Sequence, residues 1–208
     1  MSSAVAVDTE NTIHQIIRFE PLVFESQMPK ERFHQFVLRN SDLKIERDKY
    51  GTITIHPLMT FDSGYLEGIA FLKLGNWAMK DKTGRAFSPS TSFDLPDGSQ
   101  YKADGAWISN QKIAQLSEKE RKQIASIVPD FVMEVRSETD RLPKLKEKMT
   151  DAWMANGVRL AWLIDPKTET VWIYRQDQAV VEVSGFDQKL SGEEVLPGFV
   201  FDLSELKQ

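Results

Sequence analysis

Through the middle of the chain, apolar residues recur with a helical period: Leu66, Ile69, Ala70, Leu74 and Trp77, with Lys73 on the same stripe, return every three or four positions. That spacing predicts an amphipathic helix running to about Lys80, with Asp62 or Ser63 as its N-cap. A shorter helix fits residues 29–38, and another fits 142–156, closed by Gly157 as a C-cap. A polar stretch over 116–127 predicts one more. Elsewhere the period falls to two or the apolar run is continuous. LKIERD and TITIH, on either side of Lys49, Tyr50 and Gly51, predict a hairpin, and residues 86–95 and 100–109, around Pro96, Asp97 and Gly98, predict a second. FVMEVR, VRLAWLID and TVWIYR read as strands, the last two joined through Asp165, Pro166 and Lys167, and the remaining tail supplies edge strands. Residues 1–15 have no sustained period and predict a loose arm before a single domain over 16–208.

Composition narrows the class. With 208 residues, 41% apolar and 27% charged, the chain suits one buried core. No apolar run approaches the roughly 20 residues that span a bilayer, and the first residues lack both the basic and the long apolar region of a secretory leader. A soluble, cytoplasmic protein without a membrane partner is expected. Cysteine is absent, which removes disulfides, thiolate nucleophiles and iron–sulfur sites. His14, His34 and His56 stand in no ligand-like spacing, so a metal would be held by carboxylate oxygen, which favours Mg²⁺, Mn²⁺ or Ca²⁺. A net charge of -5 weighs against non-specific DNA binding, although basic residues crowd between Lys119 and Lys148. On composition alone these read as solvated helix faces. There is no Gly-rich phosphate loop and no nucleophile elbow, so nucleotide hydrolysis and serine-hydrolase chemistry lack their required residues.

Two carboxylates lie where apolar side chains are expected. Glu134 shares a strand face with Val132 and Arg136, and a charge placed there must be paired, protonated or metal-bound. Arg136 could be its ion-pair partner. Asp104, within QYKADGAWIS, shares a face with Ala106 and Ile108, while the Gly105 that follows also suits the start of a turn. If the two strands are neighbours, the carboxylates repel, and a divalent cation between them relieves the repulsion. Glu46 reads as a solvated hairpin residue, and Asp130 as a turn residue beside Pro129.

The order of Asp104, PDFVMEVRS (129–137), TDRL (139–142), Lys148-Met149, NGVRL (156–160), WLIDP (162–166), VWIYR (171–175) and LPGF (196–199) resembles the Uma-two family of endonucleases, within the PD-(D/E)XK superfamily. The resemblance extends from about Phe33 to Leu203. It implies an α/β (mixed α+β) restriction-endonuclease-like core, a central mixed sheet flanked by helices. It also implies a Mg²⁺-dependent endodeoxyribonuclease, with Mn²⁺ able to substitute, in which Asp104 and Glu134 hold the metal. The superfamily's lysine, two residues after the second acid, is replaced by Arg136, which cannot serve as a base but can clamp a phosphate oxygen. Lys148 matches a lysine shifted to the following helix, although the spacing from Lys148 to Gly157 is one residue longer than the resemblance implies. Glu67, in the first turn of the long helix, matches a further acid and is a candidate metal ligand, or simply complements the helix dipole. DNA is the implied partner, and superfamily analogy adds a homodimer. The departure at Arg136 keeps an alternative open: a catalytically inactive fold that binds nucleic acid or protein. A hydrolase of small phosphoesters is a third reading.

Overall fold

The computed structural model describes residues 21–25 and 28–207, so the arm expected over residues 1–15 lies outside the described residues. Strand β1 (Leu22–Glu25) and helix α1 (Lys30–Arg39) precede the expected hairpin, β2 (Ile45–Arg47) paired antiparallel with β3 (Thr52–Ile55). Helix α2 (Phe61–Asp81) follows the apolar stripe, burying Leu66, Ala70, Leu74 and Ala78 with Ile69 and Trp77 at its margins. Its N-cap is Thr60 rather than Asp62 or Ser63: the Thr60 hydroxyl accepts from the Ser63 N–H at 3.4 Å, and Ser63 itself is buried.

Both segments of the expected second hairpin break in two, giving β4 (Gly84–Phe87), β5 (Ser92–Asp94), β6 (Gln100–Lys102) and β7 (Gly105–Ser109). β5 and β6 do form a hairpin, but β4 pairs with β7, and the two pairs belong to different sheets. The chain passes from one sheet to the other at Asp104. The polar stretch over 116–127 yields only the single turn α4 (Glu118–Arg121), preceded by α3 (Asn110–Ile113). No residue of α4 is buried, so its Ser117–Glu120 capping box has no packing to extend it.

β8 (Phe131–Val135) leads to α5 (Leu142–Glu147), which continues as a π-helical segment, Lys148–Met154. Then follow β9 (Leu160–Asp165), β10 (Thr170–Arg175), β11 (Val181–Ser184), β12 (Lys189–Ser191), β13 (Val200–Asp202) and a 3₁₀ turn, Leu203–Leu206. The central sheet has the order β11-β10-β9-β8-β7-β4, with β8 and β9 parallel and the other pairs antiparallel. α2 covers one face, where Phe131, Met133 and Val135 point; the π-helical segment covers the other, packing Met149, Ala152 and Trp153 against Val132 and Leu163. Burial on both faces is why β8, β9 and β10 read as nearly unbroken apolar runs. A second sheet, β1-β3-β2-β6-β5, packs on α1 through Phe33, Val37, Ile45 and Ile53. The result is the expected mixed α/β architecture, a central sheet flanked by helices. Among the described residues no helix is long and apolar enough to cross a membrane.

Candidate active site

Register brings the two acids together. Gly105 pairs with Met133 and Ala106 with Val132, so one further step along the antiparallel β7–β8 pair sets Asp104 opposite Glu134. Glycine at 105 leaves room for the Met133 side chain, whose Cε a Cβ there would meet at 2.4 Å. The Val135 N–H donates to Asp104 Oδ2 at 2.8 Å, which ties Asp104 to the peptide following Glu134. Asp104 is 3% exposed and Glu134 2%, so Asp104 is a buried group at a bend rather than the start of a surface turn.

The β2–β3 hairpin completes the site. Period-two alternation turns Ile45 into the core and puts Lys44 and Glu46 on the opposite face, towards the acids. Lys44 Nζ lies 3.0 Å from Asp104 Oδ1, and Lys148 Nζ lies 2.9 Å from Glu46 Oε1 and 2.8 Å from Glu134 Oε1. Lys148 also donates to the Lys102 carbonyl at 2.8 Å, and His56 Nε2 meets Glu46 Oε2 at 2.8 Å. Glu46 is therefore not the solvated hairpin residue expected; it is 3% exposed and wedged between Lys148, His56 and the Lys102 N–H. Lys44, Glu46, His56 and Trp153 are site residues that sequence reasoning missed. The alternation of LKIERD was the available signal, but nothing local reveals that this hairpin stands over the end of another sheet.

Lys148 reaches the site because the helix changes its winding. Backbone bonds Ala155 N–H to Thr150 O and Val158 N–H to Trp153 O span five residues. In an α-helix, residues 148 and 153 would lie about 1.4 turns apart; with i→i+5 winding they come onto one face. Both then contact the same atom, Trp153 Nε1 donating to Glu134 Oε1 at 2.9 Å beside the Lys148 ammonium.

Charge is crowded here. Burial pushes the Glu134 carboxyl up to about 7, with the Asp104 carboxylate adding to the rise and Lys148 opposing it. Burial and Asp104, with which it shares a hydrogen bond, push Glu67 on α2 up to about 8. For Asp104 burial is outweighed by Lys44, Lys148 and the Val135 N–H, which hold it below the usual carboxylate range. Glu46 is held well below it, since Lys148 and His56 overcome the cost of burial. Both lysines remain cations: in each, neighbouring carboxylates outweigh the opposing effect of burial.

Arg136 belongs elsewhere. Its Nη1 lies 2.7 Å from Asp165 Oδ2, and its Nε donates to the Asp140 carbonyl at 3.3 Å, so it clamps β8 to the end of β9 and is not the partner of Glu134. Asp130 is likewise more than a turn residue: 2% exposed, it accepts from Ser109 N–H at 2.8 Å and pairs with Lys112 at 3.0 Å. Much of the basic run is also engaged, Lys122 with Glu118, Lys144 with Glu147, and Lys146 over the Trp172 ring.

A cavity of about 50 Å³ opens between Lys44, Asp104, Glu134 and Lys148. It adjoins a larger one of about 610 Å³, the two sharing His56, Thr139, Asp140, Leu145 and Lys148. Among the described residues no group of three or more Asp, Glu, His or Cys side chains is arranged to hold a metal ion. The donors that do converge are hard oxygens from Asp104 and Glu134, with Glu67 beside Asp104. Buried acids crowded together are the kind whose charge a divalent cation can answer, and an all-oxygen donor set of this sort suits Mg²⁺.

The sequence model of the Uma2 family, described as "Putative restriction endonuclease", matches residues 30–204. Among solved structures, the chain is similar to a "putative nuclease belonging to DUF820" from Anabaena variabilis, with a TM-score of 0.68 and 18% identity over 78% of this chain and 88% of that one. A DrdV–DNA complex aligns with a TM-score of only 0.37 and 14% identity, over 56% of this chain and 10% of that one. No curated protein matches the chain.

Proposed function

The chain belongs to the Uma2 family, and from that premise we propose that it is a metal-dependent endonuclease hydrolysing DNA phosphodiester bonds, with Asp104 and Glu134 holding Mg²⁺ and Glu67 assisting. The observation that carries this reading is the convergence of Asp104 and Glu134, from neighbouring strands, on one small cavity flanked by two lysines. A divalent cation held by these acids would supply Lewis-acid charge neutralisation and lower the pKa of a bound water. The protein's part is orientation and charge. The Val135 N–H aims Asp104, and Trp153 with Lys148 aims Glu134 and favours its ionised form. Lys148, rather than a lysine two residues after Glu134, brings fixed positive charge to the acids. Arg136, paired with Asp165, serves the site by holding β8 and β9 in register. Cutting both strands of a duplex calls for two such centres, which a homodimer would provide; sedimentation of the DNA-bound protein tests that arrangement.

One observation favours a second reading, a binding module without catalysis: no three ligand side chains are gathered for an ion among the described residues, and lysines already neutralise part of the acid charge. Cleavage of supercoiled plasmid in Mg²⁺, by wild type beside Glu134→Ala, decides between them. Mg²⁺-dependent nicking that the substitution removes supports the nuclease; DNA binding without metal-dependent nicking supports the module.

A further inference from the structure

Lys148, Arg136 and Lys44 are the candidate cations, and they differ in where they lie and in how many of their donors are already used. An ammonium has three N–H donors. Lys148 spends all of them, on Glu46 at 2.9 Å, Glu134 at 2.8 Å and the Lys102 carbonyl at 2.8 Å, and its side chain is 10% exposed. Arg136 is bound to Asp165 and the Asp140 carbonyl and lines neither cavity. Lys44 differs from both. Among the described residues its one hydrogen bond is to Asp104 Oδ1 at 3.0 Å and its side chain is 29% exposed, and like Lys148 it lines the small cavity with Asp104 and Glu134. Among the described residues, two of its donors are thus left for a group entering that cavity. Its backbone is fixed as well, because the Lys44 carbonyl accepts from His56 N–H at 2.9 Å just before β2 begins.

We infer that Lys44 is the residue whose ammonium contacts the scissile phosphate, while Lys148 is a positioning residue that holds Glu134 and Glu46 in place. The inference rests on the nuclease reading above. A saturated, buried ammonium cannot take up a new anion without releasing a carboxylate, whereas one with free donors at a cavity wall can. Charge building on the phosphate oxygens during attack would then meet a cation already in position.

The test compares Lys44→Met, Lys44→Arg and Lys148→Met in two measurements. The first is plasmid cleavage in Mg²⁺ at saturating DNA. Lys44→Met lowers kcat by about 10²-fold or more, the size expected for removing one transition-state donor, and Lys44→Arg recovers part of the loss. The second is DNA affinity against salt, by fluorescence anisotropy of a duplex oligonucleotide with Ca²⁺ in place of Mg²⁺. Here Lys44→Met lowers the slope of log K against log salt by about 1, one phosphate contact, and Lys148→Met leaves the slope unchanged while lowering the thermal midpoint. Wild-type kcat and slope in Lys44→Met, or a slope lost in Lys148→Met instead, overturns the assignment to Lys44 while the nuclease reading stands. If the wild type binds DNA but never cleaves it, the nuclease reading fails and the slope alone decides whether Lys44 contacts phosphate. Absence of DNA binding overturns both.

Discussion

Asp130 immediately precedes β8 and Glu134 lies near its far end, four residues apart and each 2% exposed, and they are kept buried in different ways. Asp130 has one cation, Lys112, and one backbone donor, Ser109 N–H, so its charge is balanced within its own contacts. Glu134 sits among Glu46, Asp104 and Glu67, against the two ammoniums of Lys44 and Lys148; burial pushes its carboxyl up to about 7, with the Asp104 and Glu46 carboxylates adding to the rise. Equal burial therefore says little about role. What separates the structural acid from the candidate functional one is whether the neighbourhood carries surplus charge of the same sign, since that surplus is what a cation or a proton can answer.

The comparison breaks most readily on substitution of the acids. Glu134→Gln and Asp104→Asn are expected to lower Mg²⁺-dependent cleavage by about 10³-fold, as loss of a principal charge-stabilising group does, with a smaller effect on the thermal midpoint. Asp130→Ala reverses the pattern: it leaves Lys112 and the Ser109 N–H without their acceptor, costs about 2 kcal/mol of stability, and keeps most activity. Plasmid nicking and thermal melts of the same preparations measure both, and similar profiles for the two acids would abolish the distinction.

Next in size is the response to pH. A carboxyl whose folded-state pKa is raised keeps its proton in the folded chain after the unfolded chain has released it. Stability therefore falls as pH rises from about 4.5 towards about 7 for Glu134 and about 8 for Glu67. Asp104, whose pKa is lowered, acts in the opposite sense: its contribution is present above the ordinary 3.8 and is lost as pH falls through the lower folded value. The metal-free protein should lose thermal midpoint between pH 5 and pH 8, a loss that Glu67→Gln reduces. Mg²⁺ should raise the midpoint more at pH 8 than at pH 6, because it meets acids that have already ionised. A midpoint that climbs across this window would contradict the raised carboxyls of Glu134 and Glu67.

Smaller effects sharpen the picture. Trp153→Phe removes the 2.9 Å donor to Glu134 Oε1 while keeping an aromatic ring in the core. The acid limb of the pH–rate profile is expected to move up by about one pH unit, since a carboxylate that loses an N–H donor ionises less readily. Arg136→Lys should matter least, costing about 1 kcal/mol for a weakened bond to Asp165 with turnover near wild type. A collapse of turnover at unchanged midpoint would return Arg136 to the reacting centre.

Much of the architecture was legible because it depends on short-range pattern. The stripe from Leu66 to Trp77 gave α2, the unbroken runs gave β8, β9 and β10, and both strand acids stood out as charges amid apolar neighbours. The stretch over 116–127 misled because its polar residues have helical propensity but no buried face to support a helix. The segments 86–95 and 100–109 misled because each breaks into two strands that belong to different sheets, and pairing partners are not a local property.

By itself, then, the sequence determined the elements, the family resemblance, and that Asp104 and Glu134 are acids needing an answer to their charge. Tertiary structure decided what answers it. Lys44 and Glu46 reach the site only because the β2–β3 hairpin of one sheet lies over the end of β7 and β8 in another. Lys148 and Trp153 meet Glu134 together only because a π-helical segment turns both to one face. Arg136, the nearest cation in sequence, is drawn off by Asp165 from the neighbouring strand. Local periodicity assigns a side chain to a face; which charges share that face is set by contacts between residues dozens of positions apart, and these exist only once the chain has folded.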